Sequence, residues 1–311
     1  MIVPNMATPD RATPDVAGPG TAGSDTSTSL PSPGQLPAPE PARVAAHGAG
    51  SAGAAALGRA VYSEWIKLFS VASTRRSLRL ALIASVGVGA ILCSTRVRGW
   101  ASFSAADRAT FDATATSLAG LIVAQILLGA MAARFVTTEF TTGMIRTTLV
   151  AVPRRWMVLA AKAAVVAVVT ALAGLTASLG AFIVGQQVLA RRHIEATLSS
   201  GPTLRAVLAG GLAVAVVSLL GLAIGTVVRH PSASVAVYSL SLFGVNLLTA
   251  ALPASTGNRV QAYLPEGAVQ ALSSVRPVAG SLSTAGEVAV LAVWALVGLV
   301  IAGTVFTRRD A

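Results

Sequence analysis

Beyond residue 77 the chain alternates long apolar runs with short polar breaks. Six runs approach or exceed the roughly 20 residues that a helix needs to cross a bilayer core. They cover 78–95, 117–136, 158–189, 207–228, 232–252 and 286–306. The pattern predicts an all-α integral membrane protein with six transmembrane helices. The third run is long enough to tilt or to extend past the bilayer. Before the first run, residues 60–72 (AVYSEWIKLFSVA) have a different pattern. Val61, Trp65, Leu68, Phe69 and Ala72 share one helical face, and Ser63, Glu64, Lys67 and Ser70 fall largely elsewhere. This segment is too short and too polar to span. It reads as an N-terminal interfacial amphipathic helix with Trp65 at the boundary and Glu64 and Lys67 on its polar side.

The polar break after the second run is the most informative stretch: RFVTTEFTTGMIRTTLVAVPRRWMVLAAK, residues 134–162. It carries Glu139, Gly143, Arg146, Arg154, Arg155 and Lys162, with apolar Phe140, Met144 and Ile145 interleaved. The interleaving predicts a short helix held at the membrane surface, which is what a soluble partner would push on. Glu139 is expected near the start of that helix, where the macrodipole favours an anion, and within reach of Arg146. Gly143 interrupts the segment and allows a bend. The alternative for Glu139 and Arg146 is a screened surface pair contributing about 0–1 kcal/mol.

Composition agrees with a membrane protein. The chain has 311 residues, 54% hydrophobic and only 11% charged, against about 25% charged in soluble domains. The net charge is +11, but the bases gather at the ends of apolar runs, and aromatic content is 5%. That leaves little to stack nucleobases on, so no nucleic-acid partner is expected. Of the 23 bases, thirteen flank the runs on the side of the N-terminus and eight on the other. By the positive-inside rule both termini are expected in the cytoplasm, with Arg75, Arg76 and Arg79 standing before the first span.

Residues 1–58 hold nine of the 15 prolines among Ala, Gly, Ser and Thr. Such a stretch cannot bury enough apolar surface to offset its ordering entropy, and it is expected to be a disordered cytoplasmic tail. It lacks a basic start, an apolar run and a small-residue cleavage site, so it does not read as a signal peptide. The connection at 253–285 is long and mildly apolar, and Pro265 is placed to begin a short helix over 266–274. That helix either dips into the outer leaflet or belongs to a plain surface loop.

Candidate chemistry is sparse. No acid stands at the centre of a run, which weakens a proton-relay reading. There is no Walker A sequence, so ATP hydrolysis by this chain is not expected, and no G-x-S-x-G or H-E-x-x-H. The single cysteine, Cys93, reads as a small buried hydrophobe. His193 and His230 are expected on opposite faces, and no metal site is predicted. Gly221 and Gly225 form a G-x-x-x-G that suits close packing within the chain. Gln125, Gln186, Gln187 and Asn246 either line a pathway or bond across helices.

Three stretches together resemble the ABC-2 type transporter permeases in their actinobacterial form. They are SEWIKLFSVASTRRSLRLAL (63–82), VTTEFTTGMIRTTLVAVPRRWMVLAAK (136–162) and AYLPEGAVQAL (262–272). The middle motif is the most specific, although its Thr-Gly order differs from the commoner Gly-Thr. The resemblance covers residues 60–311. It implies a six-helix permease domain over 59–311 that dimerises and pairs with a cytoplasmic ATP-binding subunit. ATP and Mg would be held by that subunit, and no cofactor by this chain. It also implies that Glu139, Phe140, Thr142, Gly143, Met144, Ile145 and Arg146 form a coupling helix facing the ATPase, with residues 60–72 beside it. On this reading Glu139→Ala uncouples hydrolysis from transport without preventing insertion. Cargo would be amphiphilic and the location the cell membrane. A non-transporting immunity or anchoring protein remains the alternative, followed by a membrane enzyme, for which no catalytic pair at one depth is evident.

Overall fold

A computed structural model describes residues 49–151 and 155–308. Residues 1–48, Arg154, Arg309 and Asp310, as well as the side chain of Arg146, lie outside the described set, and with them most of the proline-rich tail. Every regular element among the described residues is helical.

Helix α1 (Ala49–Ser70) begins within the stretch assigned from sequence to the tail, where alanine is frequent and proline absent. An extended Val71 separates it from α2 (Ala72–Gly99). Short α3 (Ala105–Thr110) follows. The second span is built from α4 (Ala113–Leu118) and α5 (Leu121–Thr141), joined by a tight turn at Ala119 and Gly120. Then come α6 (Met144–Ala151), α7 (Arg155–Leu189), α8 (Gly201–Val228) and α9 (Pro231–Ala250). Two short helices, α10 (Ala254–Gln261) and α11 (Pro265–Leu272), precede α12 (Thr284–Arg308).

Six helical segments are long and apolar enough to cross a membrane. They coincide with the six runs read from hydropathy, so the chain is a multi-pass membrane protein. Helix α7 has 35 residues, about 50 Å at 1.5 Å per residue. This exceeds a hydrocarbon core of about 30 Å, so its first turns need not lie among lipid tails. The sequence places one helix in the 253–285 connection. There are two, and α11 packs onto α8 and α12 through Ala268, Val269 and Leu272.

Helix α8 is the centre of the bundle, packed along α5, α7 and α12. Its contact with α5 depends on glycine. A Cβ on Gly221 would overlap the backbone of Gly129, and one on Gly225 would sit 2.6 Å from the carbonyl of Ala133. The G-x-x-x-G motif therefore serves an approach within the chain. On the other side of Gly129 lies the ring of Tyr238, whose hydroxyl donates to the Gln125 carbonyl at 2.8 Å. Helices α2, α9 and α12 leave large apolar side chains uncovered, among them Ile83, Leu240, Leu247 and Leu296. In water such a surface would be a liability; in lipid it is the natural exterior.

These contacts predict opposite responses at two glycines. Gly221→Val should lower stability in detergent by about 1–3 kcal/mol through overpacking. A Cβ on Gly87 meets nothing within 4 Å, so Gly87→Ala should raise stability by about 0.5–1 kcal/mol through its helix propensity. Thermal unfolding of the two purified variants checks both.

Candidate functional site

Four charged side chains meet where α1, α5 and α7 come together. Glu64 and Lys67 stand one turn apart on α1, Glu139 is in the last turn of α5, and Lys162 is two turns into α7. Glu64 and Glu139 are each 2% exposed and Lys162 is 1% exposed. The Lys162 ammonium donates to Glu64 Oε2 at 2.5 Å and lies 2.8 Å from Glu139 Oε1. It also faces the Phe135 ring, 4.4 Å from the centroid. Lys67 spends its three donors on Glu64 Oε1 at 2.7 Å, Glu139 Oε1 at 3.2 Å and the Thr148 hydroxyl at 3.2 Å. Burial on its own would lower the Lys67 pKa. The hydrogen bond and charge of Glu64, with those of Glu139, outweigh it and hold the ammonium above its usual range.

The network contains two acids and two bases, so its net charge is zero. That balance is what makes burial tolerable, since a lone ion held out of water costs several kcal/mol. Glu139 Oε2 is buried without a hydrogen-bond partner among the described residues.

This arrangement revises the reading of α1. The face turned to the bundle carries Ala60, Glu64 and Leu68, at a spacing of four, while Trp65 and Ile66 are exposed. Sequence pattern places Glu64 away from the apolar face because it treats a carboxylate as a group seeking water. Here Glu64 seeks Lys162, which comes from a different helix. Lys162 was legible only as a base inside an apolar run, and nothing local marks it as the partner of two acids.

The stretch around Glu139 is also rearranged relative to expectation. Glu139 does not start the short helix; it belongs to the C-terminal turn of α5, where the macrodipole does not favour an anion. Thr142 closes that helix, Gly143 adopts φ +71°, and α6 starts at Met144. A left-handed residue at this point suits glycine and turns the chain between the two helices. The partners of Glu139 are Lys67 and Lys162. Among the described residues it has no free face for a soluble protein.

Helix α6 is therefore attached on one side and open on the other. Ile145, 2% exposed, enters an apolar cluster with Val158, Leu159, Ala223, Ala302 and Phe306. Thr148, one turn later, accepts from Lys67. Phe140 packs edge-on against Phe306 and lies under the Arg229 guanidinium, 4.8 Å from its ring centroid. Arg155 donates to the carbonyls of Phe306 and Thr307 at 3.5 and 3.4 Å. On the opposite face Met144, Thr147 and Val150 point outward, Val150 being 85% exposed, and Thr142 and Gly143 are exposed beside them. The seven coupling residues thus divide. Glu139 and Ile145 are internal, Phe140 is half-buried, and Thr142, Gly143 and Met144 are external, with the Arg146 side chain outside the description.

The other polar residues singled out from sequence behave more simply. Gln186 bridges helices, donating to Ser117 Oγ at 2.8 Å and accepting from the Ala196 amide at 2.7 Å. Gln187 is exposed, and Cys93 is fully buried beside Ser117. Asp112, which the sequence did not single out, caps α4 and accepts the Val275 and Arg276 amides at 2.8 and 2.9 Å. It ties the connection before α12 to the second span.

Charge balance in the network is open to a direct test. Lys162→Met alone should cost about 3–5 kcal/mol, because it leaves two buried acids with one lysine. Glu139→Gln combined with Lys162→Met leaves the Glu64–Lys67 pair intact. It should destabilise by less than the two single losses together, with a coupling of about 1–3 kcal/mol in unfolding measurements on the four proteins of the cycle. Strict additivity would contradict a shared network. Compared with known proteins, the chain matches no family model and no curated sequence.

Proposed function

We propose that the chain is the membrane subunit of an ATP-driven transporter of the ABC-2 permease type. It would work as a dimer with a separate ATP-binding subunit on the cytoplasmic side of the cell membrane. The observation that carries the reading is the mounting of α6. This short surface helix offers Met144, Thr147 and Val150 outward, while Ile145 and Thr148 fasten it to two different groups of helices. Through Thr148 and Lys67 it joins α1, α5 and α7; through Ile145 it joins α7, α8 and α12.

A force applied to the outer face of α6 would therefore reach most of the bundle. Ions in the network cannot separate singly without stranding a buried charge, so α1, α5 and α7 are expected to move as one body. The apolar contacts of Ile145 have no such directionality and can slide. Closure of an ATPase beneath α6 would then rock the α1–α5–α7 body against α8 and α12. Arg75, Arg76, Arg79 and Arg155 lie near the same end, which supports placing it in the cytoplasm. The sequence carries no nucleotide-binding motif of its own, consistent with energy supplied by a partner. The buried position of Glu139 also changes what its removal means. Glu139→Ala would disturb packing together with coupling, so external residues are the better probes.

Purification of the tagged chain from its own cells in mild detergent should recover an ATP-binding subunit in stoichiometric amount, identified by mass spectrometry. Met144→Glu with Val150→Glu should abolish that recovery by at least tenfold and leave thermal unfolding of the permease unchanged. Recovery of a dimeric chain without any ATP-binding subunit would overturn the reading.

A further inference from the structure

Away from the charge network, within the bundle beside α11, two cavities meet at a cluster of unsatisfied acceptors. The first, about 220 Å³, lies among α8, α9, α11 and α12 and is walled chiefly by Leu220, Ile224, Leu242, Val245, Trp294 and Val297. The second, about 390 Å³, lies between the second span, α9 and α11. Glu266 and Asn246 line both. A drug-sized ligand site has roughly 300–1,000 Å³, so the second cavity alone, or the two together, are of that size.

Among the described residues few buried side-chain oxygens lack a hydrogen-bond partner. Four of them belong to residues lining the second cavity: Gln125 Oε1, Asn246 Oδ1, Glu266 Oε2 and Ser273 Oγ. Such concentration is unusual, because buried polar groups are nearly always satisfied. Gln125 is 1% exposed, deep in the second span. Its side chain lines the same cavity as the Glu266 carboxylate, and its backbone carbonyl accepts from Tyr238. The Asn246 amide nitrogen donates to the Leu242 carbonyl at 2.6 Å, and its oxygen remains without a partner. Three of the four free atoms can only accept while Glu266 is ionised. No described base lies within ion-pair distance of Glu266.

We propose that Glu266, Gln125 and Asn246 bind the ammonium head of a cationic amphiphile whose single apolar tail enters the cavity beside Trp294. A primary ammonium carries three donors and a positive charge, which suits three acceptors of which one is a carboxylate. The first cavity offers the tail almost entirely hydrocarbon. Burial pushes the Glu266 carboxyl up to about 7. Burial thus favours the neutral acid, and an arriving cation favours the ionised carboxylate. As a statement of cargo class this rests on the transporter reading, whereas binding belongs to the chain alone.

The test uses the full chain purified in a neutral maltoside detergent. Decylammonium, decanol and decyl sulfate are titrated separately, followed by calorimetry and by the fluorescence of the protein. Decylammonium should bind saturably, one per chain, and at least tenfold more tightly than either of the others. Glu266→Gln should weaken it tenfold or more without lowering the unfolding temperature, since the neutral amide is easier to bury. Val245→Trp, which fills the tail cavity, should weaken decylammonium yet spare the short methylammonium ion. Equal affinity for decyl sulfate, or an unchanged affinity in Glu266→Gln, would overturn the inference. Competition by the single-tailed lipid lysophosphatidylethanolamine in nanodiscs would identify the head as that of a lipid; its absence would identify a free amphiphilic amine. Failed binding in a chain that still recovers its ATP-binding subunit would remove this site alone. Binding without that subunit would remove the transporter reading alone.

Discussion

Two acids and two lysines share a space from which water is nearly excluded, and the arrangement of α1, α5, α6 and α7 depends on their being there together. Each ion is acceptable only because another cancels it. Glu64 and Lys162 are 98 positions apart, and Lys67 and Glu139 are 72 apart. The cluster therefore closes loops that hydropathy alone would leave free. Apolar contacts in a membrane protein discriminate poorly between one helix face and another, since lipid competes with protein for every methyl group. A paired buried charge discriminates strongly, because the wrong register strands an ion. The network thus supplies registration to a bundle whose other forces are permissive.

The remaining packing is consistent with that division. Glycine at positions 221 and 225 lets α8 lie directly on α5, where the backbones touch. Close approach of this kind contributes dispersion energy without needing a hydrophobic driving force. At the opposite end Asp112 does by hydrogen bonding what the ions do at the first. It holds the amides of Val275 and Arg276 while its other oxygen caps α4. Between these two tied ends lies the region with least internal satisfaction, the paired cavities around Glu266 and Asn246. A protein that must move a solute between two ends would place its unsatisfied groups in such a position, and its rigid groups where force arrives.

Helix α6 illustrates how function would follow from mounting. Eight residues cannot form a stable isolated helix in water. Its existence depends on Ile145 entering the apolar cluster and on Thr148 meeting Lys67. These two anchors occupy one face at a spacing of three, which leaves Met144, Thr147 and Val150 on the other. The same spacing that makes the helix possible also makes its outer face available.

Hydropathy by itself determined the number of spans, because each must satisfy its own backbone within lipid and so announces itself as one local apolar run. A short helix after the second span and another starting at Pro265 were equally local, marked by Gly143 and by the proline. The polar face of α1 was not. Periodicity measured against water assigns Glu64 outward, and only a lysine from another helix turns it inward. The role of Lys162, the position of Glu139 at the end of α5 and the meeting of Gln125 with Glu266 belong to the same class. A buried charge or acceptor is decided by what stands opposite it in space, and one chain read in order holds no measure of that distance.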